Sequence, residues 1–184
     1  EKWEQPNPTT YVFYLRKGVK FHNGRELTAD DVKTNIEWRS KEAPKDWPRM
    51  RNLEAMSKIK NVEVLDRYKI RITIDEPGPM MVTAFTGGDT GLPGIIPPEI
   101  AGKFMLGKSG TVPIGTGPFK FKEWVSGSHL TLERFDDYWG PKALVDRIVF
   151  KFIYDDDARL IALQRGDIDL AEQITGAGLA IARK

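Results

Sequence analysis

YVFYLRKGVKFHNGRELTADDV, residues 11–32, contains the signals for a strand, two turns and the start of a helix. From Tyr11 to Leu15, apolar side chains of one face alternate with residues of the other, which is typical of a strand with one buried face. Gly18 and Gly24 mark the two turns. The chain is therefore expected to fold back twice before a helix begins.

The start of that helix has a recognisable capping pattern. Thr28 followed by Asp31 resembles a capping box with Asp in place of Glu. Val32 and Ile36 then supply one apolar face, so we expect the helix to run to about Ser40.

Similar periodicity predicts further strands and a second helix. YKIRITID, residues 68–75, alternates throughout and should pair with NVEVL, residues 61–65, across a turn at Asp66-Arg67. Two strands around 119–121 and 130–132 should form a hairpin, and 148–154 should form another strand. A helix should follow over 158–165 and end at Gly166. Strands and helices interleave without a strict rhythm, which predicts a mixed α/β (α+β) fold.

Composition excludes several classes of function. The 184 residues are 40% hydrophobic, enough for a core, and the net charge of +2 gives no field that would attract nucleic acid or an anionic membrane. No apolar run reaches the roughly 20 residues that span a bilayer. The absence of cysteine excludes disulfides and thiolate chemistry, and it suits an exported protein.

The residues most often used in catalysis or metal binding have simpler explanations here. His22 and His129 each lie two residues from a glycine and are expected to be surface turn histidines. Asp155, Asp156 and Asp157 are adjacent, so they cannot all face one ion, and Asp at a helix start is expected to cap it. No pair of carboxylates shows a tuned environment, so we expect neither an enzyme nor a metal or cofactor site.

GKFMLGKS, residues 102–109, matches the pattern of a phosphate-binding loop. Such a loop needs a buried strand before it and a helix after it. Pro97 and Pro98 argue against the strand, and the glycines and prolines from Gly110 to Pro118 argue against the helix. Nucleotide binding by Gly102–Ser109 therefore stays an alternative that titration with Mg-ATP, and Lys108→Ala, would test.

Four segments resemble the successive signatures of family 5 solute-binding proteins, the extracytoplasmic receptors of ABC importers for peptides, nickel and related solutes. They cover about Thr9 to Leu170 in the family's order, and they are YVFYLRKGVKFHNGRELTADDV, PIGTGPFKFKEW, LERFDDYWG and ALQRGDIDL. In the family, the GTGP turn leads into a hairpin. We expect Gly115 and Gly117 to form a tight loop there, with at least one of them at positive φ.

The resemblance implies a partial chain. Family members have two lobes that close on the solute, with a subdomain beside the first lobe. Residues 1–170 would supply a first-lobe portion with its subdomain, and 171–184 the start of the crossing toward an absent second lobe. The resemblance further implies a peptide or similar solute, an ABC permease partner, a monomer, and a periplasmic or extracellular location, with a lipid anchor as one option. A non-catalytic protein-interaction module remains a second alternative.

The resemblance also indicates where solute would bind, in the loops after the first helix and after the second hairpin. The corresponding segments are KDWPRMR, with Trp47, Arg49 and Arg51, and TGGDTGLPG, with Gly88, Asp89 and Thr90. A tryptophan ring between two prolines could stack on a ligand, and an arginine could pair with its carboxylate. The alternative is that Trp47 packs on the helix beneath it.

Overall fold

The computed structural model describes residues 2–38, 58–77, 94–100 and 111–172. Within them the chain divides into two units. Unit 1 comprises Glu1–Lys120 and Arg134–Leu144, and unit 2 comprises Phe121–Glu133 and Val145–Lys184. The described elements confirm a mixed fold of sheets and helices.

Unit 1 is built on a four-stranded antiparallel sheet in the order β1-β2-β4-β3. Its strands are β1 (Lys2–Asn7), β2 (Thr10–Tyr14), β3 (Ile59–Asp66) and β4 (Lys69–Ile74). The hairpin predicted for 61–75 is β3–β4, which turns at Arg67-Tyr68. Strand β1 was not predicted, because Pro6 interrupts the pattern; proline is tolerated there because β1 lies at the sheet edge.

The core of unit 1 lies between this sheet and helix α1 (Ala29–Glu37). Every second residue of β4, namely Ile70, Ile72 and Ile74, is buried, as the alternation predicts. Ile36 of α1 packs in the same cluster and is completely buried. Full burial of such a side chain contributes roughly 1.5–3 kcal/mol, so a few of these residues hold the helix on the sheet.

The capping box predicted for α1 is present. The main-chain N–H of Thr28 donates to Oδ2 of Asp31 at 2.8 Å, and Thr28 has the extended backbone of an N-cap. The helix ends at Glu37, with Trp38 as C-cap. Ser40, where we expected the end, lies outside the described residues.

Unit 2 contains most of a three-stranded sheet, β5-β6-β7, and a helix. The strands are β5 (Phe119–Val125), β6 (His129–Arg134) and β7 (Arg147–Lys151), and the helix is α2 (Asp156–Gln164). The β5–β6 turn has Gly127 at φ 72°, which confirms the predicted hairpin. Strand β7 ends three residues before Tyr154, where the alternation had placed its end.

Helix α2 has the predicted capping groups at its two ends, although its first residue differs from the prediction. The Asp155 side chain accepts from the Ala158 N–H at 2.7 Å, which is N-capping, and the helix begins at Asp156 rather than Ala158. Gly166 follows the C-cap at φ 74°, a left-handed conformation that favours glycine. Asp155 therefore serves the helix terminus, as its position in the sequence indicates.

Candidate functional site

The six predicted ligand residues lie outside the described part of the chain, but residues on both sides of each segment lie within it. Trp47, Arg49 and Arg51 belong to 39–57, and Gly88, Asp89 and Thr90 belong to 78–93. The first segment runs from α1 to β3, and the second from the end of β4 to the stretch 94–100. The structure therefore describes these two segments only at their four attachment points.

Two of the attachment points are neighbours in the sheet. Ile59, the first residue of β3, pairs with Ile74, the last residue of β4. The ladder continues for one more bond, because the Asp75 N–H donates to the Lys58 carbonyl at 2.9 Å. The chain thus returns from segment 39–57 and departs toward segment 78–93 at the same end of the β3–β4 hairpin.

The other two attachment points are joined by a buried side chain. Asn35, near the C-terminal end of α1, donates to the Ile96 carbonyl at 2.7 Å and accepts from the Ile96 N–H at 3.2 Å. Ile36, Ile59 and Ile74 share one buried cluster, so α1 and the end of the hairpin are in contact there. The flanks of both candidate segments are therefore gathered in one region of unit 1.

A second feature of unit 1 is the GTGP turn, residues 115–118, whose main-chain groups are bonded to side chains and loops far along the chain. The Gly115 N–H donates to Nδ1 of His22 at 3.2 Å, and the His22 N–H donates to the Gly115 carbonyl at 2.9 Å. Nε2 of His22 lies 3.1 Å from the Gly117 carbonyl. His22 therefore bonds to this turn at three points.

These contacts determine the protonation state of His22. A carbonyl only accepts, so Nε2 carries the proton, while Nδ1 accepts from Gly115 and has none. The ring is half-buried and packs edge-on against Phe135, with centroids 5.1 Å apart. Burial lowers the pKa of His22, and the charge of Lys120 acts in the same direction, whereas the bond to Gly117 opposes them. The expectation of a surface turn histidine is confirmed for the turn but not for the surface, because His22 is a half-buried, neutral ring whose two nitrogens are both hydrogen-bonded.

Two aromatic residues after β6 also donate hydrogen bonds to the GTGP turn. The Phe135 N–H donates to the Pro118 carbonyl at 2.9 Å, and Nε1–H of Trp139 donates to the Thr116 carbonyl at 3.2 Å. The guanidinium of Arg16 lies over the Trp139 ring, 4.8 Å from its centroid. The turn is thus a fixed element of unit 1, which supports an architectural role for the motif.

The expected backbone of the two glycines in this turn is wrong. The structure has positive φ at Gly18, Gly24, Gly127 and Gly166, and neither Gly115 nor Gly117 is among them. Both do lie in the loop before β5, as expected. The turn therefore adopts a backbone without a left-handed glycine, and hydrogen bonds to its carbonyls hold it in place.

The described residues offer few other groups suited to catalysis or metal binding. Those residues contain no group of three or more His, Asp or Glu side chains placed to hold a metal ion. His129 lies in the β5–β6 hairpin, 3.6 Å from a Glu123 carboxylate oxygen. In 2–38, 58–77, 94–100 and 111–172, no helix has the length and apolar character needed to cross a membrane.

The flanks of the phosphate-loop pattern agree with the argument from sequence. Residues 94–97 form no strand, Pro97 is buried, and one helical turn covers 98–100. Residues 111–115 are not helical. Gly102–Ser109 itself lies outside the described residues, so the absence of nucleotide binding stays a prediction.

Comparison with known proteins gives the class of protein to which the chain belongs. The model of the family "Bacterial extracellular solute-binding proteins, family 5 Middle" matches residues 1–184. The oligopeptide-binding protein AppA of Bacillus subtilis is 34% identical over 170 residues, and the dipeptide-binding protein of Escherichia coli is 30% identical over 201. The chain belongs to this family, whose members are binding proteins and not enzymes.

Solved structures show the same fold. AppA in complex with a nonapeptide superposes with a TM-score of 0.76 at 32% identity, over 91% of this chain and 33% of that one. AgaA of A. tumefaciens R10 in complex with agropinic acid has a TM-score of 0.78 at 29% identity, over 91% of this chain and 33% of AgaA. The alignments cover 86% and 98% of this chain but only 29% of AppA and 36% of the dipeptide-binding protein, so the chain spans about a third of its relatives' length.

Proposed function

We propose that the protein carrying this chain is the solute receptor of an ABC importer and that it binds a peptide in a cleft between two lobes. The observation that carries the proposal is the match to AppA, which is found in sequence and in structure. The solved structure of AppA contains a nonapeptide. The dipeptide-binding protein of Escherichia coli supports the same class of solute. AgaA, which binds agropinic acid, shows why the solute has to be tested directly.

In this proposal, Trp47, Arg49 and Arg51 act together with Gly88, Asp89 and Thr90 on one side of the cleft. The support is the geometry of their flanks, since both segments attach where α1 meets one end of the β3–β4 hairpin. Trp47 would stack on the solute, and one of the arginines would pair with a carboxylate.

The rest of the proposal concerns the whole protein. The family is extracellular, so the receptor would work outside the cytoplasmic membrane, in the periplasm or held by a lipid anchor. It would deliver solute to a permease as a monomer. A protein-interaction module is the competing function, and it predicts no stabilisation by any small solute.

A thermal-shift screen of the whole protein against peptides, metal chelates, opines and sugars tests the class of solute. A solute at 100 times its Kd stabilises the folded state by about 2.7 kcal/mol, which is easily measured. We expect peptides to raise the unfolding temperature. Stabilisation by another class alone would contradict the peptide assignment, and stabilisation by none would favour the interaction module.

Titration calorimetry with the best peptide then tests the site. Loss of ring stacking in Trp47→Ala should weaken binding about tenfold, which corresponds to roughly 1.4 kcal/mol. Trp3→Ala is the matched control, because Trp3 is exposed on the edge strand β1. Equal affinity in Trp47→Ala and wild type would assign Trp47 to packing on the helix.

A further inference from the structure

Asn23 and Gly24 form the one Asn-Gly pair in the sequence, and both are exposed in a tight loop. The Phe21 N–H donates to the Arg25 carbonyl, and the Gly24 N–H donates to the Phe21 carbonyl, both at 2.8 Å. Gly24 has φ 87°, so the loop has the pattern of a three-residue hairpin connection that ends in a left-handed glycine. We refer to residues 21–25 as the Asn-Gly loop.

An Asn-Gly pair can react with itself, because glycine has no side chain to hinder attack on the asparagine. The Gly24 nitrogen attacks Cγ of Asn23 and gives up its proton to solvent, while the bond from Cγ to the side-chain nitrogen breaks and ammonia leaves. Water then opens the five-membered imide at either carbonyl, which leaves aspartate or isoaspartate at position 23. The reaction therefore needs only water as a co-reactant.

The folded Asn-Gly loop holds both reacting groups. Attack requires that the Gly24 nitrogen lose its proton, and that proton is bonded to the Phe21 carbonyl. Oδ1 of Asn23 accepts from the Arg25 N–H at 3.1 Å, so the side chain that would be attacked is held as well. A hydrogen-bonded amide exchanges its proton with solvent only when the bond opens. The same opening should limit the rate of the reaction.

Contacts on both sides keep the Asn-Gly loop closed. His22, the neighbour of Asn23, attaches the loop to the GTGP turn through its main-chain N–H and both ring nitrogens. On the other side, the Arg25 side chain is paired with Asp31 and Glu99. Loss of the His22 ring should therefore let the loop open more often without unfolding the protein.

We propose that Asn23 is a site of spontaneous deamidation, which the closed Asn-Gly loop protects and which opening of the loop exposes. The reaction converts a transient opening into a lasting change, because the isoaspartyl product adds one carbon to the main chain between His22 and Gly24. The inference does not depend on the solute or on the proposed function.

Peptide mapping by mass spectrometry of the whole protein, incubated at mildly alkaline pH, measures deamidation at Asn23 directly. We expect deamidation in the folded protein to be about tenfold or more slower than in the same protein unfolded in guanidinium chloride, because only the open fraction reacts. Equal rates in the two states, or no deamidation in the unfolded protein, would overturn the proposal.

Two variants separate opening of the Asn-Gly loop from unfolding of the protein. His22→Ala removes both ring hydrogen bonds and should speed deamidation of the folded protein about threefold or more. Gly166→Ala is the matched control, because it strains the chain after α2 and leaves this loop intact; its rate should stay within about twofold of wild type. An unchanged rate in His22→Ala, or an equal increase in Gly166→Ala, contradicts the proposal.

A third measurement decides if His22→Ala does not fold. Hydrogen exchange of the Gly24 N–H in the wild type reports opening of the same bond to Phe21. The slowing of exchange and the slowing of deamidation should agree within about threefold, since one opening limits both. Exchange at the rate of an unfolded chain would refute the protection by the loop.

Discussion

Single residues carry much of the long-range order in unit 1. His22 and Asn35 each bond to the main chain of a segment far along the sequence, and Trp139 does the same at Thr116. A buried main-chain group without a partner costs free energy comparable to a lost hydrogen bond. Removal of any of these side chains therefore affects two segments at once.

His22 should make stability depend on pH. Burial lowers its pKa from the usual 6.5, so below pH 6.5 the unfolded chain takes up a proton that the folded chain resists. The stability that neutral His22 contributes is complete above pH 6.5 and is lost as the pH falls toward the folded-state pKa. Protonation of Nδ1 would also break the bond from Gly115.

The measurement is the unfolding temperature of wild type and His22→Gln between pH 7.5 and pH 5. Lys120, the charged group that acts on His22, is present in both proteins. Arg25, on the same turn as His22, is paired with Asp31 and Glu99. We expect wild type to lose more stability than the variant over this range, and parallel profiles would refute the assignment.

Elements form where local signals agree. Both helices begin at the capping residues that the sequence indicates, and β4 has the burial pattern that its alternation predicts. Two strands differ from what the local signals predict. Strand β1 forms because it pairs with β2, and β7 ends at Lys151.

Two glycines should differ in how well they tolerate a side chain: Gly166, which follows α2, and Gly117, in the turn before β5. Gly166 has φ 74°, so Gly166→Ala should cost about 1 kcal/mol in the free energy of unfolding. Gly117 has no positive φ, and an added Cβ would come no closer than 4.0 Å to another residue's atom, the Phe119 carbonyl oxygen. Gly117→Ala should stay within about 0.5 kcal/mol of wild type. Denaturant unfolding measures both, and a larger loss in Gly117→Ala would reverse the interpretation.

At the scale of the whole molecule, the proposed function predicts that this chain provides one side of a binding site. Closed clefts bury most of a ligand's surface, so a single side should lose most of the affinity. We expect the isolated 184 residues to bind the peptide at least about 100-fold more weakly than the whole protein, which corresponds to roughly 2.7 kcal/mol.

Calorimetry on both proteins tests this, with circular dichroism to show that the isolated chain is folded. Affinity within tenfold of the whole protein would mean that residues 1–184 form a complete site. The assignment of 1–170 to a first-lobe portion with its subdomain, and of 171–184 to the crossing, would then need revision.

The sequence by itself determined the described strands other than β1, the helix caps and the hairpins, because alternation, capping and turn chemistry depend on residues within a few positions of one another. Its four family signatures indicated the family. The resemblance to the family also predicts which two segments meet the solute, and this stays a prediction. Only the tertiary structure decided the sheet order, the role of His22 and the connection from Asn35 to Ile96. The contacts of Asn35 and His22 join residues 61 to 95 positions apart, and packing selects such pairs without leaving a local pattern. Asn35 left one trace, a polar residue on the apolar face of α1, and its meaning became clear only when Ile96 was found beside it.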